Sequence, residues 1–268
     1  MIIIGEKING TIPAVKEAIE KRDAAFIADR AVKQTEAGAH FIDVCASTAP
    51  ELEIETLKWL MAVVQDATDT PLCIDSPNPR VIEEVFKYAN KPGLLNSISE
   101  EGDKCEVLLP MMAGNAWEVI GLTCDNNGIP NDLETKIKIT SSMVEKAAAY
   151  GVTPDRIHID PCVMALSTEN SSMLNFAAEI RAIKALYPTI HVTGAISNIS
   201  FGLPVRPLLN KTAMAFAIEA GMDSAVMDPL NREMMGTIFA SYALMGQDKH
   251  CRKYSKAFRA GVIGIVGK

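Results

Sequence analysis

The chain has 268 residues, a length that fits one large α/β domain or two small ones. Hydrophobic residues make up 48% and charged residues 22%, so the chain has enough apolar material for a core, and extensive disorder is excluded. The net charge of -7, without basic runs, argues against nucleic acid or an anionic membrane as the main partner. No apolar run is long enough for an export signal or a membrane span, so the sequence predicts a cytoplasmic protein.

Short apolar segments recur along the chain, and most of them end in a polar residue. The eight segments are residues 2–4, 41–44, 72–74, 94–95, 119–122, 157–159, 190–196 and 225–227. Their spacing is close to the roughly 30 residues of a βαβ unit. The stretches between them have helical periodicity, as in Leu57, Leu60, Met61 and Val64, which fall at i, i+3, i+4 and i+7. Asp23 is predicted to cap the helix that follows it.

This alternation of strands and helices predicts a single α/β domain over residues 1–268, folded as a (β/α)8 TIM barrel. A doubly wound open sheet is the rival architecture. It usually carries a glycine-rich phosphate turn, and the sequence has neither GxGxxG nor GxxxxGK followed by Ser or Thr. The barrel is therefore the favoured prediction.

The predicted strand ends carry carboxylates and carboxamides, with no nucleophile–base pair among them. Asp75, Asn96 and Asp160 close their strands, and Asn198 follows the seventh segment. An Asp after a strand is often only a helix cap or turn opener, and Asp75 and Asp160 both precede turn-forming residues. Four such residues at one end of a barrel, however, indicate a site for a polar small molecule with N–H donors, such as an amino-pyrimidinone ring.

Several segments together resemble the methyltetrahydrofolate:corrinoid methyltransferases, which are pterin-binding TIM barrels. They are IGEKING at 4–10, LCIDS at 72–76, LNS at 95–97, IGLT at 120–123, IDP at 159–161 and SNISFGLPVR at 197–206. By this resemblance Asp75, Asn96, Asp160 and Ser197 bind the pterin, and Asn198 is the catalytic residue beside N5. Lys7 stands where the family usually has Arg, and Ala195 where it usually has Gly, which leaves the contacts at both positions open.

The resemblance implies methyl transfer between the cobalt of a corrinoid and N5 of tetrahydrofolate. Transfer from methylcorrinoid to tetrahydrofolate, giving 5-methyltetrahydrofolate, is the favoured direction, and the reverse reaction feeding an acetyl-CoA pathway is the alternative. The DxHxxG signature of a corrinoid-binding domain is absent, because Asp248 and His250 are followed by Lys253 where the glycine belongs. The corrinoid is therefore expected on a separate protein, and the family implies a homodimer. Arg206 is a candidate cation for the glutamate tail of the folate, or else a solvated loop residue.

More distant alternatives are a dihydropteroate synthase-like enzyme and a non-catalytic folate-binding protein. A synthase would need a different first loop and a lysine after the seventh strand, where this chain has EKINGT and SNIS. Cys73 shares a strand face with Asp75, and His158 with Asp160, as metal ligands would. The sequence nevertheless has no HxC or HExxH spacing, so no bound metal is predicted, and the six cysteines are expected to be reduced and mostly structural.

Overall fold

The computed structural model describes residues 1–264, in which eight parallel strands alternate with helices. The strands are β1 (Ile2–Asn9), β2 (Phe41–Cys45), β3 (Leu72–Asp75), β4 (Leu94–Glu100), β5 (Glu118–Asp125), β6 (Ile157–Asp160), β7 (His191–Val192) and β8 (Ser224–Met227). The helices are α1 (Pro13–Lys21), α2 (Ala24–Glu36), α3 (Pro50–Ala67), α4 (Pro79–Phe86), α5 (Lys104–Leu108), α6 (Leu133–Ala148), α7 (Ser172–Leu186), α8 (Arg206–Ala220), α9 (Arg232–Leu244) and α10 (Arg252–Arg259).

The strands form one sheet in the order β7-β6-β5-β4-β3-β2-β1-β8. The two edge strands meet where the backbone N–H of Asp223, just before β8, donates to the carbonyl of Val192 at 3.2 Å. The sheet therefore closes into a barrel, and the predicted (β/α)8 fold is confirmed. No helix among residues 1–264 has the length and apolar character needed to cross a membrane.

Two layers of apolar side chains hold the barrel together. Inside it, a cluster is formed by residues that alternate along the strands, namely Ile4, Phe41, Cys73, Leu94 and Ile120. The other strand face packs against the helices. The predicted helical stripe of Leu57, Leu60, Met61 and Val64 is fully buried in this outer core, on α3.

Polar residues fill the barrel where the strands begin. The imidazole of His158 lies between Glu118 and Ser224, at 2.7 and 2.9 Å, and stacks on His191 with ring centroids 4.8 Å apart. Burial lowers the pKa of His158, so the ring is neutral at pH 7. This pair of histidines lies at the end of the barrel away from the predicted site.

The seventh strand is much shorter than the predicted segment 190–196. β7 has only two residues, because its neighbour β6 ends at Asp160 and Pro161 has no N–H to continue the ladder. Beyond it the chain turns into a short 3-10 helix, Ile196–Ser200. In contrast, β4 continues past Asn96 to Glu100.

The predicted cap of α2 is confirmed, since the Asp23 carboxylate accepts from the backbone N–H of Phe26 at 3.1 Å.

Candidate active site

Asp75 and Asp160 end their strands as predicted, whereas Asn96 is the third of the seven residues of β4, so the prediction that it closes its strand is wrong. Asp75 on β3 is the register partner of Asn96 on β4, and the backbone N–H of Ser76 donates to the Asn96 carbonyl at 3.1 Å. Asp160 ends β6, beside Leu122 of β5. All three side chains are half-buried. Their carboxyl and amide groups therefore face the same end of the barrel with part of each side chain still accessible to a ligand.

The Asp160 carboxyl is held in a tight turn. Its Oδ1 accepts from the backbone N–H of Cys162 at 2.7 Å, and Cys162 has a φ of 62°, in the left-handed region that non-glycine residues rarely adopt. Burial raises the pKa of Asp160 to about 6, although the Cys162 N–H and the Lys136 ammonium favour the charged form. This carboxyl thus changes charge just below neutral pH.

A second carboxyl with a similar pKa, that of Asp75, lies on β3, which is separated from β6 by β4 and β5. Burial raises the pKa of Asp75 to about 6, hydrogen bonding with the Cys45 thiol lowers it, and the charge of Glu53 raises it further. Asp75 and Asp160 are therefore both able to accept hydrogen bonds from ring N–H groups at neutral pH. Each is also costly to keep charged without a ligand.

Asp43 is a site residue that the sequence prediction did not select. It lies in the middle of β2 and is only 2% exposed, and its Oδ1 has no hydrogen-bond partner among residues 1–264. Burial and the nearby Asp75 raise its pKa well above the usual range, while Cys73 and Asn96 form hydrogen bonds with it. Asp43, whose charged form is disfavoured by burial, thus lies beneath the Asp75–Asn96 pair. The sequence does contain a signal for this residue, because its carboxylate lies inside the otherwise apolar strand FIDVC. Both faces of such a strand are buried, so the carboxylate is buried whichever face it lies on.

Asn198 and Ser197 lie on the 3-10 helix that follows β7. Asn198 is exposed, and Ser197 is partly exposed. Two neighbouring elements hold this helix in place. The Arg206 guanidinium donates to the Ser197 carbonyl at 2.8 Å and to the Ser200 hydroxyl at 3.0 Å, and the backbone N–H of Leu166 donates to the Ile199 carbonyl at 2.9 Å. The Asn198 amide is thereby presented at the barrel mouth on a fixed backbone.

A cavity of about 350 Å³ adjoins this helix, between the ends of β1 and β8. Glu6, Lys7, Ser197, Arg206 and Asp228 are among its lining residues. The Lys7 ammonium lies 3.3 Å from the Asp228 carboxylate, and burial raises the pKa of Glu6 to about 7. A cavity of about 440 Å³ lies at the other end of the barrel, where β1 begins, and contains none of the predicted ligands.

The chemistry of the site is that of hydrogen bonding and charge placement. Within residues 1–264, no three or more His, Cys, Asp or Glu side chains are grouped so as to hold a metal ion. Burial raises the pKa of the Cys73 thiol well above its usual range, which disfavours its thiolate form. The site can orient a flat polar ring and stabilise charge on it.

Comparison with known proteins identifies the family of the chain. The pterin binding enzyme family matches residues 5–228, which include every predicted site residue. A methylcorrinoid:tetrahydrofolate methyltransferase of Eubacterium limosum is 61% identical over 268 residues, 99% of both chains. The methionine synthase of Mycobacterium leprae is 27% identical over 250 residues, 87% of this chain and 21% of that protein.

Solved structures of the same fold are more distant in sequence. The 7,8-dihydropteroate synthase of Vibrio fischeri superimposes with a TM-score of 0.69 at 16% identity, over 92% of this chain and 93% of the other. This likeness concerns the barrel alone. The match over residues 5–228 and the full-length similarity to the Eubacterium limosum protein together show that the chain belongs to the pterin-binding enzyme family.

Proposed function

We propose that this protein transfers a methyl group between the cobalt of a corrinoid and N5 of tetrahydrofolate, in the direction that yields 5-methyltetrahydrofolate. The observation that carries the proposal is the 61% identity, over 99% of both chains, to a methylcorrinoid:tetrahydrofolate methyltransferase. The relative's name gives methylcorrinoid first, which favours the proposed direction. The carboxyl and amide groups at the strand ends supply the pterin site that such a reaction needs.

The pterin edge is recognised by three half-buried side chains. A carboxylate can accept from a ring N–H and an exocyclic amine together, and an amide can pair with an edge that offers both a donor and an acceptor. Asp75 and Asn96, which are register partners, suit one edge of the ring, and Asp160 on β6 suits another. Ser197, on the 3-10 helix, completes the set at the mouth.

Asn198 acts at N5. In the proposed direction the N5 lone pair attacks the methyl carbon, and the carbon–nitrogen bond forms as the carbon–cobalt bond of the substrate breaks. The electron pair of the broken bond stays on the cobalt, which passes from Co(III) to Co(I), and N5 loses its proton. The reverse reaction needs a protonated N5, because an amine anion is a very poor leaving group. The Asn198 side-chain carbonyl can accept a hydrogen bond from N5–H and so stabilise the positive charge that develops there. Its amide does not titrate, so the proton exchanges with solvent or with a network that includes Asp75.

Arg206 is proposed to attract the glutamate tail of the folate. Its Nε and Nη2 already hold the 3-10 helix, so the tail would meet the remaining N–H groups at the rim of the cavity. This arrangement would couple binding of the tail to the position of Asn198, because the same guanidinium holds Ser197 and Ser200 on either side of it.

The corrinoid is proposed to arrive on a separate protein that docks at the barrel mouth. Apolar side chains near the 3-10 helix are unusually exposed, with Phe201 at 68% and Val205 at 70%. The Eubacterium limosum relative matches over 99% of its own length, whereas this chain spans about a fifth of the methionine synthase that it matches. The exposed patch beside Asn198 therefore suits a partner that brings the methyl group to the site and leaves again.

A homodimer and a cytoplasmic location complete the proposal. Exposed apolar side chains on the outer helices, Phe216 of α8 and Leu244 of α9, offer a surface for a second copy. The six cysteines are all free thiols, as in a reducing compartment. Sedimentation equilibrium of the wild-type protein and of Phe216→Glu measures the oligomeric state, and a monomeric wild type would contradict the dimer.

The test is a spectroscopic assay of purified protein with methylcob(III)alamin and tetrahydrofolate, followed by the reverse pair of reactants. We expect transfer in both directions, because one site stabilises the same transition state from either side, with the proposed direction favoured. Folate binding without transfer in either direction would reduce the protein to a binding module. Release of diphosphate from a pterin diphosphate would instead indicate a synthase.

A further inference from the structure

A buried ion pair lies behind the strand end that carries Asp160. Lys136 of α6 and Glu179 of α7 are each only 4% exposed, and the Lys136 Nζ is 2.8 Å from the Glu179 Oε1. The same ammonium donates to the Pro161 carbonyl at 2.7 Å. Both charges are thus removed from water, and the lysine is shared between a helix and the turn after β6.

Stability alone does not account for such a pair. Removing two charges from water costs several kcal/mol per ion, and well-packed apolar side chains of similar volume often serve as well or better. What an apolar pair could not do is donate to the Pro161 carbonyl. The position of that carbonyl, one residue after Asp160, indicates where the pair acts.

The Pro161 carbonyl lies inside the turn that sets the Asp160 carboxyl. On its far side the Cys162 N–H donates to Asp160 Oδ1 at 2.7 Å, from a residue held at a φ of 62°. A left-handed conformation at a non-glycine residue persists only when its surroundings hold it there. The Lys136 ammonium provides such a constraint, since it fixes the peptide group directly before Cys162.

The same loop continues to the helix that carries Asn198. After Pro161, the backbone N–H of Leu166 donates to the Ile199 carbonyl at 2.9 Å, and the Ser167 hydroxyl donates to the Phe201 carbonyl at 3.0 Å. The loop after β6 is therefore bonded at its start to Lys136 and further along to the residues that flank Asn198.

We propose that Lys136 and Glu179 form a positioning pair for the pterin site, which fixes the turn at Asp160 and, through the loop that follows, the backbone beside Asn198. The inference rests on the proposed function, in which Asp160 binds the pterin. Neither residue of the pair touches the substrate. Glu179 holds the ammonium in place, and Lys136 holds the turn.

The two charges of the pair act on Asp160 in opposite directions. The Lys136 ammonium lowers the pKa of Asp160 and the Glu179 carboxylate raises it, against the larger effect of burial, which also raises it. Other titratable groups near this turn are two thiols and the carboxyl of Glu169, which lines the same small cavity as Lys136, Cys162 and Glu179. Burial raises the pKa of Cys162 above its usual range and that of Cys124 to about 11, so both are neutral near pH 6.

The experiment follows the Asp160 carboxyl directly, by carbon NMR of protein labelled at the aspartate carboxyl carbon and assigned with Asp160→Asn. We expect Lys136→Met to move the titration of Asp160 up by about one pH unit and Glu179→Gln to move it down by a similar amount, as for the removal of one nearby charge. Lys138→Met is the matched control, since Lys138 is an exposed lysine on the same helix that pairs with Glu134, and it should leave the titration unchanged.

Folate binding supplies the second measurement. The double variant Lys136→Met, Glu179→Leu removes both charges and the bond to Pro161, so folate should bind about tenfold more weakly. The Asp160 titration should also move to higher pH, because the Cys162 N–H that favours the charged carboxyl is no longer held in place. Titrations that fail to move in opposite directions in folded single variants, or wild-type folate affinity in the double variant, would overturn the proposal. Absence of methyl transfer in the wild type would contradict the proposed function instead, and the NMR titration would still decide the role of the pair.

Discussion

Folate affinity should fall steeply between pH 7 and pH 5 because two carboxyl ligands titrate near pH 6. Burial raises the pKa of Asp75 and that of Asp160 to about 6. Each group is then about nine-tenths ionised at pH 7 and about one-tenth ionised at pH 5. If both must be charged to accept hydrogen bonds from the pterin, the affinity falls about tenfold for each, or about 100-fold in total.

Isothermal titration calorimetry with tetrahydrofolate across this pH range measures the effect. Asp160→Asn removes one of the two titrating groups, so its affinity should be lower at pH 7 but should fall only about tenfold on going to pH 5. Asp66→Asn, at an exposed carboxyl on α3, should retain the full 100-fold dependence, and it also corrects for protonation of the ligand itself. An affinity that stays level from pH 7 to pH 5 in the wild type would refute the assignment of these carboxylates as pterin ligands.

Three further predictions concern the same site. Asn198→Ala should lower methyl transfer by about 10- to 1000-fold, as for a lost donor or acceptor in a preorganised site, while folate affinity measured by calorimetry changes less. Asp160→Asn should unfold at a higher temperature than the wild type at pH 7. Because the pKa of Asp160 is raised in the folded protein, the stability that its protonated form contributes is full below the ordinary pKa of an aspartate and is lost as pH rises through about 6. Removing the charge should therefore raise the free energy of unfolding by about 1–2 kcal/mol in calorimetric scans. Phe201→Asp should raise KM for a corrinoid-loaded partner protein but leave transfer from free methylcobalamin unchanged, and equal effects on both would argue against docking at this residue.

The barrel and much of its site could be predicted because both depend on local patterns. Strand and helix periodicities are short-range properties, and parallel strands place their carboxyl ends at one end of a barrel whatever the loops do. Asp75 and Asn96 could therefore be expected to be close before their register was known, and the structure makes them direct partners. The cause of the short β7 was also visible in the sequence, as Pro161. This proline follows β6, however, and its missing N–H shortens the neighbouring strand β7, an effect that the order of residues along the chain does not show.

Other features depend on contacts between residues far apart in the chain. Lys136 and Glu179 each look like an ordinary surface charge on an amphipathic helix, and only the packing of α6 against α7 buries them together. Asp43 could have been predicted as a site residue, since a carboxylate is rarely buried inside an apolar strand without a partner or a role. The rise in its pKa, however, depends on its burial and on the charge of the nearby Asp75, which comes from another strand. Such pairings have no periodicity, and sequence patterns therefore do not reveal them.

The acidic character of the chain leads to one conclusion about how an anionic folate is recognised. The two cations that line the cavity beside Asn198 are already engaged, Lys7 with Asp228 and Arg206 with the backbone of the 3-10 helix. With a net charge of -7, no long-range field draws a folate towards the mouth. The discrimination must then lie in the pterin ring, because burial makes the charged forms of Asp75 and Asp160 costly and ring N–H groups that donate to them stabilise that charge. A site built in this way selects the heterocycle by its donor pattern, and it leaves the glutamate tail near the surface, where a docking partner can approach the methyl position from the open side.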